Sequence, residues 1–133
     1  MKTIIELTNS EIVAFAEDLN KFIISNENTY FPAKVNYAIQ YNIKKIIDAA
    51  TEVDNIRLNI GKHYGTYNEE IKGYNINPEN FADAQQELED LFKIKREFSI
   101  ILIKVEDLNS IQLTPGQMRS LLFMIAEPGE EEE

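Results

Sequence analysis

The sequence predicts an α+β fold, mostly helical, with one long central helix and a small antiparallel sheet. Three observations lead there. Two runs rich in β-branched residues, at 3–7 and 98–105, stand far apart in the chain. An apolar stripe at helical spacing, interrupted at Arg57, runs from Ile39 to Tyr64 within a helix over about 33–64. Each strand-like run is followed by a threonine with Glu or Gln three residues on, which is the signature of a helix start.

The first element is the strand Thr3-Ile4-Ile5-Glu6-Leu7. Thr8-Asn9-Ser10-Glu11 then has the capping-box form, and Ile12, Phe15, Ala16, Leu19, Phe22 and Ile23 follow at helical spacing, giving an amphipathic helix over 9–25. Ser25 to Thr29 is a polar break. Pro32 suits the first turn of the next helix, where its missing N–H costs little. That helix runs to Tyr64 and stops at Gly65, with Lys62 and His63 in its last turn. Its stripe is Ile39, Ile43, Ile46, Ala50, Val53, Ile60 and Tyr64, spaced 4, 3, 4, 3, 7 and 4, with Arg57 inside the gap of seven. A heptad-like stripe of this kind packs against nearly antiparallel neighbours. Arg57 is therefore expected either to snorkel past an apolar stem or to meet Glu87 or Asp83 of the following helix. Gly61, inside the last turns, weakens the helix by about 1 kcal/mol relative to alanine.

Residues 65–77 lack helical periodicity, and their Gly, Asn and Tyr content predicts a structured loop or small hairpin. Asn77-Pro78-Glu79 opens a third helix, carried by Phe81, Ala84, Leu88, Leu91 and Phe92. The run Ile100 to Ile103 inside the second strand predicts cover on both faces. A closing helix starts at Thr114-Pro115-Gly116-Gln117, carries Met118, Leu121, Leu122 and Ile125, and ends near Glu127-Pro128-Gly129. The 1–127 stretch is expected to be a single globular domain and 128–133 an acidic disordered tail.

Composition excludes more functions than it suggests. The chain has 133 residues, 44% hydrophobic and 27% charged, which is a normal balance for a folded domain. No apolar run approaches the roughly 20 residues that cross a bilayer, and Met1 to Glu6 lacks the basic start and long apolar core of a signal peptide. With no cysteine and a single histidine, His63, neither a thiolate zinc site, a cysteine nucleophile nor a Ser–His–Asp triad is expected. The net charge is −10, but five of the 23 acids lie in the last seven residues, leaving 18 against 13 basic residues and a body charge of −5. Lys44-Lys45 and Lys93, Lys95, Arg96 make only small basic clusters, so direct nucleic-acid binding is not expected. Acid pairs such as Glu17-Asp18, Glu69-Glu70 and Glu89-Asp90 point about 100° apart on a helix and do not converge on one substrate atom. Phosphate-cradling glycine motifs are missing too. The expectation is a protein that is not an enzyme and holds no metal and no cofactor.

What remains is recognition. Tyrosine gives large contact area at low entropy cost, and loops tend to carry function. The candidate binding residues are Tyr64, Tyr67, Lys72, Tyr74 and Arg57. Arg57, Lys72 and Tyr67 are also the one set that could hold a small nucleotide.

Three stretches carry a resemblance: Leu7 to Ile12, Ala33 to Lys45, and Leu113 to Ile125. In order and spacing they resemble a family of small, largely uncharacterised proteins encoded by phages and prophages of Firmicutes and other gut bacteria. The resemblance covers about a third of the chain, and similar proteins often have a longer, more charged turn in place of Gly65 to Asn77. It implies a phage context, in the host cytoplasm or the virion, and supplies no catalytic residues. The expected function is non-catalytic protein–protein binding or self-association, as an assembly component or accessory factor. The alternatives are inhibition of a host defence enzyme by an acidic, nucleic-acid-mimicking surface, and oligomeric sequestration of a nucleotide.

Overall fold

The computed structural model describes residues 2–126. The expected acidic tail at 128–133 and Glu127, the expected end of the closing helix, lie outside the described residues. The fold is α+β, and the element order is β1 (Lys2–Thr8), α1 (Asn9–Ser25), α2 (Ala33–Tyr64), β2 (Gly65–Asn68), β3 (Gly73–Ile76), α3 (Phe81–Lys93), β4 (Lys95–Ile101) and α4 (Pro115–Leu121). Single 3-10 turns precede α3 at Pro78–Asn80, follow β4 at Val105–Leu108, and extend α4 at Leu122–Met124.

Both expected capping boxes form. The Thr8 hydroxyl accepts the Glu11 N–H while the Glu11 carboxylate accepts the Thr8 N–H, and Thr114 and Gln117 repeat the arrangement at α4. Pro32 sits at the N-cap of α2, one position before the helix, and its carbonyl accepts the Asn36 N–H at 2.9 Å.

β1 and β4 pair antiparallel, from Lys2 opposite Ile101 to Thr8 opposite Lys95. The expected strand at 98–105 is therefore displaced: it begins at Lys95 and ends at Ile101. Beyond Ile101 the chain leaves β1 and bonds the C-terminal segment. Ile103 N–H donates to Met124 O at 2.7 Å, and Ala126 N–H donates to Ile103 O at 2.8 Å. That pairing also shortens the closing helix, because residues bonded to an extended neighbour cannot remain in a helical turn. Cover on both faces of the Ile100–Ile103 run is likewise incomplete: Phe98 and Ile100 are buried, whereas Ile101 and Leu102 are half-buried.

α1, the first half of α2, the sheet and α4 enclose the core. Ile12 and Leu19 of α1, Ile46 of α2, Ile100 of β4, and Leu121 and Met124 near the end are almost fully buried. The α2 stripe is buried from Ile39 to Val53 and then emerges: every residue from Asp54 to Asn59 is exposed. The second half of α2 is thus an arm, and the β2–β3 hairpin and the start of α3 pack against it.

Asn42 is a buried polar residue within the α2 stripe. Its side-chain amide donates to Ile101 O and its carbonyl accepts the Ile101 N–H, both at 2.8 Å. One asparagine thereby does for β4 what a third strand would have done. Lys45, one turn on, donates to Ser99 O at 3.0 Å.

Candidate functional site

The arm is assembled by close backbone approach. A Cβ on Gly65 would lie 2.4 Å from Asn75 O, so only glycine lets β2 and β3 close directly after α2. Gly61, which weakens the helix in isolation, leaves the space into which Tyr74 packs; a Cβ there would meet Tyr74 Cβ at 3.2 Å. The last carbonyl of α2, on Tyr64, accepts the Asn77 N–H at 3.1 Å and the Asn80 side-chain amide at 3.2 Å. These bonds satisfy an otherwise orphaned helix end and tie α3 to it. The hairpin turn is closed by Asn68, whose side chain accepts the Glu70 N–H at 2.9 Å, and by Lys72 at φ 50, a left-handed conformation uncommon outside glycine.

Between arm, hairpin and α3 lies a groove of about 380 Å³. α2 contributes Arg57, Leu58 and Ile60, the hairpin Ile71, Lys72 and Tyr74, and α3 Leu88. Tyr67 lies directly across the hairpin from Tyr74 and meets it edge-on, with ring centroids 5.5 Å apart. Four of the five candidate binding residues, Arg57, Lys72, Tyr74 and Tyr67, are therefore brought together. Leu58 and Ile71, which sequence reasoning did not single out, are exposed beside them, Ile71 by 59%. Their signal was visible only as apolar residues off the helical stripe.

Tyr64, the fifth candidate, does not line the groove and faces α3 instead. Hydrogen bonding to Glu87 raises its hydroxyl above the usual tyrosine range; desolvation and the charges of Glu87 and Asp83 act in the same direction. Glu87 and Asp83 thus face Tyr64, and the expected pairing of either with Arg57 is not made. Arg57 instead pairs with Asp54 on its own helix at 3.5 Å, with both side chains about half exposed. α3 runs back along α2, so Leu88 is the α3 residue in the groove with Arg57, and Tyr64 lies two turns, about 10 Å, further along. The snorkelling alternative describes Arg57 correctly.

His63 packs edge-on against Tyr64, centroids 4.6 Å apart. Among the described residues no group of three or more His, Asp or Glu is placed to hold a metal ion, and no helix is long and apolar enough to cross a membrane. Comparison with family models, curated proteins and solved structures finds no match to this chain.

Proposed function

We propose that this is a non-catalytic protein of phage or prophage origin that works by binding another protein, as an assembly component or accessory factor, through the arm groove. The observation that carries this reading is the convergence of Arg57, Lys72, Tyr74 and Tyr67 beside exposed Leu58 and Ile71. Aromatic and arginine side chains around aliphatic ones are the composition of interface hot spots. The two cations favour a partner segment that offers apolar side chains and a carboxylate. The phage origin rests on the resemblance of the three sequence segments alone.

The test is a photo-crosslinking residue at Tyr67, used in host cells. It is expected to trap one protein, with yield reduced about tenfold by Ile71→Asp or Tyr74→Ala. Tyr30→Ala, at an exposed tyrosine elsewhere, should leave the yield unchanged. Equal crosslinking in all three variants would sink the reading.

The same groove favours one second reading, sequestration of a small nucleotide, because two cations and a tyrosine share it. In that case nucleotides at a hundredfold excess over Kd would stabilise the fold by about 2.7 kcal/mol, read as a raised Tm that Lys72→Ala removes.

A further inference from the structure

The sheet has two edges, and among the described residues other parts of the chain bond to only one of them. On β4, the Ile101 N–H and C=O that face away from β1 are taken by Asn42, and the outward Ser99 C=O accepts from Lys45. These bonds set the phase of the ladder. Ile101 and Ser99 point outward, so their partners across the ladder, Lys2 and Ile4, also turn their N–H and C=O away from β4. Thr3, Ile5 and Leu7 carry the bonds between the strands, and the Asn9 N–H to Ile94 O bond at 2.8 Å continues the same alternation. The backbone groups of Lys2, Ile4 and Glu6 therefore stand on the free side of β1, where the sheet has no further strand among the described residues. Their side chains are exposed as well, Ile4 by 67%. The seven-residue strand has no proline, glycine or bulge to discourage pairing.

We propose that β1 pairs antiparallel with β1 of a second copy about a two-fold axis through Ile4, making a four-stranded sheet in the order β4-β1-β1-β4. The occupant is argued from the edge itself, which is self-complementary in this register. Ile4 faces its own counterpart and Lys2 faces Glu6 twice, and these are the residues whose backbone groups point outward, so each opposing pair exchanges two hydrogen bonds. Moving the axis to Glu6 sets glutamate against glutamate, and moving it to Lys2 sets lysine against lysine on a shorter ladder. The Ile4 register also relieves a like-charge contact within the chain. Glu6 lies directly opposite Glu97 and is answered only by Lys95 at 3.7 Å. Lys2 of the second copy brings another cation to that row. Lys2 now rests over the Tyr41 ring at 5.1 Å, and its flexible stem allows it to turn to the edge. An edge this short buries less than the roughly 1,000 Å² of a stable interface, so the dimer is weak and concentration-dependent. The surface is separate from the arm groove, and the proposal does not depend on the groove reading.

Sedimentation velocity of the full chain, from micromolar to near-millimolar concentration, tests this, with circular dichroism confirming that each variant is folded. The wild type is expected to pass from monomer to dimer. Ile4→Lys, which places like charges on the axis, should remain monomeric. Glu6→Lys should weaken association about fivefold, and adding Lys2→Glu should restore it to within about twofold. A wild type monomeric throughout overturns the proposal. So does a dimer indifferent to Ile4→Lys, or a Glu6→Lys defect that the charge swap fails to repair.

Discussion

Asn42 and Arg57, two polar residues of α2, have opposite surroundings. Asn42 lies where α2 faces the core and is buried, whereas Arg57 lies where α2 has left it and is about half exposed. Asn42 is the costly one to alter, because its amide satisfies both backbone groups of Ile101. Asn42→Leu keeps the branching and the number of side-chain heavy atoms and removes both bonds, so denaturant unfolding should show a loss of about 3 kcal/mol, the cost of stranding a buried N–H and C=O. Arg57 has the opposite expectation. Its ion pair with Asp54 is solvated, so Arg57→Leu and Arg57→Ala should each change stability by no more than about 0.5 kcal/mol in the same assay. A loss of several kcal/mol in Arg57→Ala would instead mean a buried carboxylate left without its partner.

At the scale of elements, the capping boxes are the local signals that tertiary packing left unchanged. Thr8→Ala removes the acceptor for the Glu11 N–H and should lower stability by about 1 kcal/mol, measured by thermal or urea unfolding. The box is also pH-sensitive. The Thr8 backbone N–H, then its hydroxyl, hold the Glu11 carboxyl below the usual carboxylate range. A carboxyl whose pKa is lower folded than unfolded adds stability that is complete above the unfolded value. That stability is lost as pH falls through the folded value. Wild type and Glu11→Gln should therefore converge in stability as acid is added. The long-range elements behaved differently: β4 and α4 both end where Ile103 bonds to Met124 and Ala126, a contact between residues more than twenty positions apart.

For the whole molecule, the division into body and arm is the main consequence of the fold. The principal core cluster draws on α1, the first half of α2, both strands of the main sheet and the C-terminal segment, and includes no residue of the hairpin. The ends of the hairpin are already joined by the Asn77 N–H to Tyr64 O bond. Replacing Gly65 to Ile76 by a short glycine-asparagine turn should therefore leave the body folded, with cooperative melting and a Tm within about 5 °C of wild type. A loss of cooperativity would show that the arm is part of the core.

The sequence by itself determined the helices at 9–25 and 33–64, both threonine caps, and the antiparallel pairing of two strands far apart in the chain. These follow from periodicity and capping chemistry, which act over a few residues, and from the need of each strand for a partner. It also picked out Arg57, Lys72 and Tyr74, though not that they share a groove, and Tyr67, though not that it meets Tyr74 across the hairpin. Only the tertiary structure decided where β4 and α4 stop, that Asn42 rather than a third strand closes one sheet edge, that Tyr64 and not Arg57 faces Glu87, and that α2 outruns the core at Val53. Each of these depends on which distant backbone or side chain arrives at a given place, and the spacing of residues along one helix or strand carries no record of that.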